Sequence, residues 1–385
     1  MNAERLNVIA IHLRRELDSR NSLGNLDTLV SYCQQMGQNP ANPGNQQNFV
    51  SARSSFYAAV TDAPSDSFTP AWRQILVEIG GEELFGKILK ERVQKILADN
   101  QATLSVAYEQ LNPILGKLRS FRESLTRLTD AFKDFQIGSE SLAPGEAEIT
   151  LLIPRKAVND KLGEFVSELE EMQFVLNTLS EVATGHIDDL RIRTVSSSGL
   201  MVHLAAIPKF GEIVAKCIDF VVGQYKKILE IRKLREQMER LELPSDISEQ
   251  TKEYANKLMG NAIEEFAVEI VSQFSAVSDD GRRHELTNQV KVSLKTLANR
   301  IDRGFNFEVR IEPPAALPKN EPEAEEVTRA VKSIQSATVN MQYMKLEGPP
   351  ILALPERTAP VSGATPTDDE TKHRKRGGAR KDDSK

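Results

Sequence analysis

The stretch closest to a catalytic motif is Gly81-Glu82-Glu83-Leu84-Phe85-Gly86-Lys87, with the glycine and lysine spacing of a loop that cradles phosphate. Such a loop needs a Ser or Thr hydroxyl after the lysine to meet magnesium, and here Ile88 stands in that place. Glu82 and Glu83 would also bring two negative charges against the phosphates. The apolar run Ile75-Leu76-Val77 follows Thr69-Pro70-Ala71-Trp72, which opens a helix and not the strand a phosphate loop requires. These residues predict a helix, a Gly-Gly turn and a second helix starting near Glu82, with no nucleotide bound.

Metal chemistry has fewer resources still. The five histidines, His12, His186, His203, His284 and His373, include no pair at helical ligand spacing. Gly185-His186-Ile187-Asp188-Asp189 sets a His beside two acids, but these are ordinary turn residues between a helix and a strand. His203, flanked by apolar residues in a strand pattern, reads as a structural histidine with its hydrogen bonds met. Cys33 and Cys217 are the only thiols, too few for a Cys₄ or Cys₂His₂ site or a disulfide framework. No metal, cofactor or catalytic residue is expected.

Paired acids need burial or a partner before they can exchange protons near neutrality. Glu164, Glu168 and Glu171 line one helix face, as do Glu265 and Glu269, and both sets read as solvated stripes. Ser196-Ser197-Ser198-Gly199 joins two strands, whereas a nucleophile elbow joins a strand to a helix with Gly on both sides of the Ser. Arg191, Arg193 and Arg310 would form an anion-attracting patch if their strands shared a sheet face. Phe305 and Phe307 alternate too strictly to be an open stacking platform. Lys372, Arg374, Lys375, Arg376, Arg380 and Lys381 form a basic tail cluster suited to nucleic acid or anionic lipid, although Asp368, Asp369, Glu370, Asp382 and Asp383 flank it.

The elements that must carry these residues are mostly helices. The chain has 385 residues, 40% hydrophobic and 27% charged, with a net charge of −6, so no global charge draws it to nucleic acid or membrane. The N-terminus lacks the features of a secretory signal. The most apolar window, Leu200 to Val222, is interrupted by Lys209, Glu212, Lys216 and Asp219, so no membrane insertion is expected. A reducing, cytoplasmic setting is the expectation.

Residues 1–138 read as an all-helical region, with a loop at Asn39 to Asn45 and a helix from about Phe49 to Val60. A long helix from Thr103 toward Gln136 should kink or restart at Pro113. Its residues Leu118, Phe121, Leu125, Leu128, Phe132 and Phe135 form an a/d seam suited to helix pairing. Residues 144–315 read as an α+β domain ordered β-α-β-β-α-α-α-β, a small mixed or antiparallel sheet packed with long helices. Its first strand, with Ile149, Leu151 and Ile153 alternating with Thr150 and Leu152, looks buried on both faces. Residues 316–355 read as a Pro-rich linker with one short helix around Val327, Val331 and Ile334, and 356–385 as a disordered tail.

The helix after Pro208 divides in two. Its first half is apolar except for a stripe at Glu212, Lys216 and Asp219, so it must be surrounded. Its second half is charged but keeps Ile231, Leu234, Met238 and Leu241 at spacings of three, four and three, a seam that asks for a partner. The fold class is therefore α+β and predominantly α-helical. The function expected is that of a non-enzymatic, self-associating interaction or scaffold protein that pairs helices with itself or another protein. The alternatives are a nucleic-acid-associated protein acting through the basic tail, and an enzyme whose site is assembled from scattered carboxylates and arginines.

Overall fold

The computed structural model describes residues 3–138, 142–196, 200–240, 245–314, 316, 321–341 and 349–356. The first six helices are α1 (Ala3–Ser19), α2 (Ser22–Gln38), α3 (Pro43–Val60), α4 (Pro70–Glu78), α5 (Gly86–Asp99) and α6 (Leu104–Asp134). Helix α3 starts earlier than its composition suggests. The Asn42 side chain accepts hydrogen bonds from Gly44 N at 2.9 Å and Asn45 N at 3.3 Å, and Pro43 occupies the first helical position.

Helix α6 continues through Pro113 without restarting. Its a/d seam is used inside the chain. Leu118, Leu125 and Phe132 are buried, Phe121 and Leu128 pack on the same core, and the helix lies against α1 and α2. Only Phe135, 76% exposed, stands clear of it. That seam therefore offers no surface for a partner, contrary to the expectation of two pairing seams.

The second half of the chain follows the expected order: β1 (Ala147–Leu152), α7 (Leu162–Thr184), β2 (Ile192–Ser196), β3 (Met201–Ala206), α8 (Pro208–Arg240), α9 (Ser245–Phe274), α10 (Asp280–Asp302) and β4 (Asn306–Ile311). The strands form one antiparallel sheet in the order β2-β3-β1-β4. Strand alternation gives the sheet two unlike faces. Ile149, Leu151, Val202, Leu204, Phe307 and Val309 share the core with side chains of α7, α8 and α10. The opposite face carries Glu148, Thr150, Leu152, His203, Glu308 and Arg310, and the N-terminal helices cover it, with Leu152 and Met201 joining their core. The sheet is thus the middle layer of three, which is why all six residues of β1 are buried.

Residues 316–355 hold more structure than a linker. Helix α11 (Glu321–Asn340) spans 20 residues and packs along α8. It covers the polar stripe of α8. Glu212 is fully buried, accepts from Ser333 Oγ at 3.0 Å, and meets Arg329 Nε at 3.4 Å, while Lys209 Nζ lies 3.3 Å from Glu326. Gly211 makes this close approach feasible, because a Cβ there would come within 3.1 Å of Ala147 and 3.2 Å of Ile334. Beyond it, Ile351, Leu352 and Leu354 are buried against the main core.

Candidate functional site

The candidate seam lies on α8 where the helix leaves the core. Its inner face carries Val221, Tyr225, Ile228 and Arg232, all buried. At 100° per residue, Leu234 points some 200° away from Arg232, toward the opposite side of the helix. Leu234 is accordingly 54% exposed, while Ile231 at the margin is half-buried. Met238 belongs to the same helix, and Leu241 falls outside the described residues. Helix α9 packs beside α8 and carries Tyr254, 61% exposed. Leu234 on α8 and Tyr254 on α9 are thus the large side chains exposed along this part of the helix pair.

A second constellation sits between the sheet and the N-terminal helices. Glu148, the second residue of β1, is 0% exposed. Arg5 of α1 donates to both of its carboxylate oxygens at 2.7 and 2.8 Å, and Arg310 Nε donates at 2.9 Å from β4. Arg193 Nε approaches to 3.5 Å from the bulged edge strand β2 and also pairs with Glu146. His203 Nδ1 lies 3.6 Å from Glu148 and shares a 2.8 Å hydrogen bond with Thr150 Oγ1, while its Nε2 has no partner among the described residues. The histidine is therefore structural but only half satisfied.

Burial alone would raise the Glu148 carboxyl, but His203, Arg310 and Arg5 outweigh it and hold it far below the usual range. Glu308, opposite Thr150 on β4, goes the other way. It is 1% exposed, and burial raises its carboxyl despite Arg310 nearby and the hydrogen bond from Ala71 N at 3.1 Å. A buried acid of raised pKa beside an ionised one is the electrostatic pattern of acid–base catalysis. Here both carboxylates are enclosed and directed at protein groups from α1 and α4, so the arrangement docks one layer on another.

The remaining sequence candidates resolve individually. Gly81 to Lys87 forms a 3₁₀ turn at Glu82–Leu84 and then α5. The Asp66 carboxylate sits at the start of α5 and accepts from Lys87 N at 2.7 Å, so an acid fills the position a phosphate would need. His186 Nε2 lies 2.8 Å from Asp188 Oδ1 in an exposed turn. Among the described residues, no group of three or more His, Cys, Asp or Glu could hold a metal ion. Both thiols are buried, and burial pushes each up to about 12, beyond reach of nucleophilic use.

The glutamate stripe of α7 is a correction. Glu164 is half-buried and pairs with Lys161, but Glu168 and Glu171 are buried. Glu168 binds Arg300, and at 2.7 Å Arg303, so that part of the stripe joins α7 to α10 and is no solvated face. Glu265 and Glu269 are exposed, as expected. Arg193 and Arg310 do share a sheet side, but Glu148 and Glu146 neutralise them, so they make no open anion patch with Arg191. Phe305 and Phe307 are core. Ser197, Ser198 and Gly199 lie outside the described residues, as do Lys372, Arg374, Lys375, Arg376, Arg380 and Lys381.

The Arg5–Glu148 constellation escaped the sequence, although one signal pointed to it. A strand read as buried on both faces but carrying Glu148 requires a buried counter-charge. The residue supplying it lies 143 positions earlier in the chain, outside any local pattern. No helix among the described residues is long and apolar enough to cross a membrane. Compared with protein-family models, with curated proteins and with solved structures, the chain matches none of them.

Proposed function

We propose that this protein is a non-enzymatic interaction protein that associates with itself through the helix pair formed by α8 and α9. The observation that carries the reading is the change along α8. Its first half is enclosed by its own domain, whereas Leu234 and, on α9, Tyr254 are more than half exposed. Large apolar side chains exposed on a packed helix pair favour a partner that excludes water from them. The closed, charge-matched cluster around Glu148 supports the same reading, because its charged groups are spent on one another, joining the N-terminal helices to the sheet.

The test is mass measurement of the full chain by sedimentation, with and without Leu234→Glu combined with Met238→Glu. The wild type should be oligomeric at tens of micromolar and the variant monomeric, with unchanged circular dichroism and melting temperature. A strictly monomeric wild type, or a variant that unfolds, would overturn self-association through this helix pair.

A further inference from the structure

The segment Ile351–Glu356 has no regular secondary structure and lies against α9 and α10, where it is held mainly through its backbone. Asp302 Oδ2 accepts from the successive amides of Ile351 and Leu352, both at 2.6 Å. Asn299 pairs twice with Leu354, accepting from its N–H at 3.1 Å and donating to its carbonyl at 2.9 Å. Asn256 accepts from Ala353 N at 2.8 Å and donates to Ile351 O at 3.4 Å. The side chains of Ile351, Leu352 and Leu354 enter the core, while Ala353 and Pro355 face outward. At the end of the segment, Arg300 grips both carboxylate oxygens of Glu356 at 2.7 and 2.8 Å.

The groups that read this segment are positioned by residues outside it. Tyr225 and Arg232 of α8 hold the Asp302 carboxylate, with Arg232 NH1 at 2.9 Å from Oδ1, which leaves Oδ2 to the two amides. Glu168 of α7 holds Arg300 independently of Glu356. Asn256 and Asn299 stand on long helices. A receptor surface whose polar groups keep their geometry without the ligand is pre-organised for binding. The ligand is pre-organised as well, because Pro349, Pro350 and Pro355 bias the chain around it toward extended backbone.

We propose that this surface is a recognition site for a peptide of the pattern aliphatic, aliphatic, any residue, aliphatic, proline, acid, and that residues 351–356 occupy it as a releasable internal ligand. Amide pairs from two Asn and one Asp supply register, three apolar side chains supply affinity, and Arg300 selects the acid. The site goes beyond self-association through the α8 and α9 pair and does not depend on it.

The test uses the full chain and a labelled synthetic peptide of residues 349–358. The wild type should bind the peptide weakly, because its own segment competes. Leu352→Asp with Leu354→Asp, which expels the internal segment, should raise affinity at least tenfold, and adding Asn299→Ala should remove the gain. Equal binding by wild type and expelled variant, or no binding by a folded expelled variant, would overturn the proposal. Hydrogen exchange on the wild type tests it without any substitution. The amides of Ile351, Leu352 and Leu354 should exchange by a local opening well before the α10 core, and excess peptide should compete for that opened state. Exchange of these amides only with global unfolding would make the segment a fixed part of the core and would equally overturn it.

Discussion

Arg5, in the first turn of the first helix, and Glu148, on the central strand, form an ion pair in which one guanidinium nitrogen, Nη2, meets both carboxylate oxygens at 2.7 and 2.8 Å across 143 residues of sequence. Both are nearly sealed from water, at 4% and 0% exposure, so the pair binds the N-terminal helices to the sheet. Removing one member of such a pair leaves the other charge buried and unmatched. Glu148→Gln should therefore destabilise the fold by about 3–5 kcal/mol at pH 7, read by urea unfolding. A loss below about 1 kcal/mol would show that water reaches Arg5.

The same carboxylate sets an acid limit. Its folded-state pKa is held below the ordinary 4.5, so its contribution is present above that value and is lost as pH falls toward the folded pKa. Wild-type stability should fall between neutrality and pH ~3 more steeply than that of Glu148→Gln. Parallel pH profiles would refute the linkage.

Glu308 should act with the opposite sign. Burial raises its pKa above 4.5, so the folded state holds the proton longer than the unfolded chain, and stability falls as pH rises from 4.5 through the folded value. Glu308→Gln keeps an oxygen for Ala71 N and carries no charge. It should be more stable than wild type at pH 8 and differ little at pH 4.5, measured by denaturant titration at both values.

At the start of α5, Asp66 and not a phosphate satisfies the backbone. Asp66→Ala should cost about 1 kcal/mol through loss of the carboxylate that accepts from Lys87 N. Lys87→Ala should leave ATP and GTP binding unchanged at background. Saturable nucleotide binding that this substitution abolishes would restore the phosphate-loop reading.

For the basic tail, deletion of Thr371 to Lys385 should leave the melting temperature unchanged, because it removes none of the core residues described above. If the full chain binds nucleic acid in a salt-dependent way, that binding should vanish with the deletion. Retention of binding would place the contact elsewhere on the protein.

Helix and strand order was legible in the sequence because each element carries its own period. Phe305, Phe307 and Val309 alternate as β4, and the runs after Pro208 and Leu162 repeat as α8 and α7. The two-part character of α8 was legible for the same reason, since Leu234 breaks from the apolar face that Tyr225 and Ile228 continue. What tertiary structure decided is which faces meet. The α6 seam could pair with a partner or with α1 and α2, and a periodic stripe is the same in both cases. Only docking of the helical layer on the sheet supplied Arg5 to the buried Glu148 and enclosed Glu308, giving two buried carboxyls of opposite behaviour. The segment at Ile351 has no period at all. Its order comes from Asn256, Asn299 and Asp302, which meet its backbone from helices 49 to 97 residues away in sequence. Such backbone recognition leaves little trace in the side chains it orders, because any residue offers the same amide to an Asn or Asp.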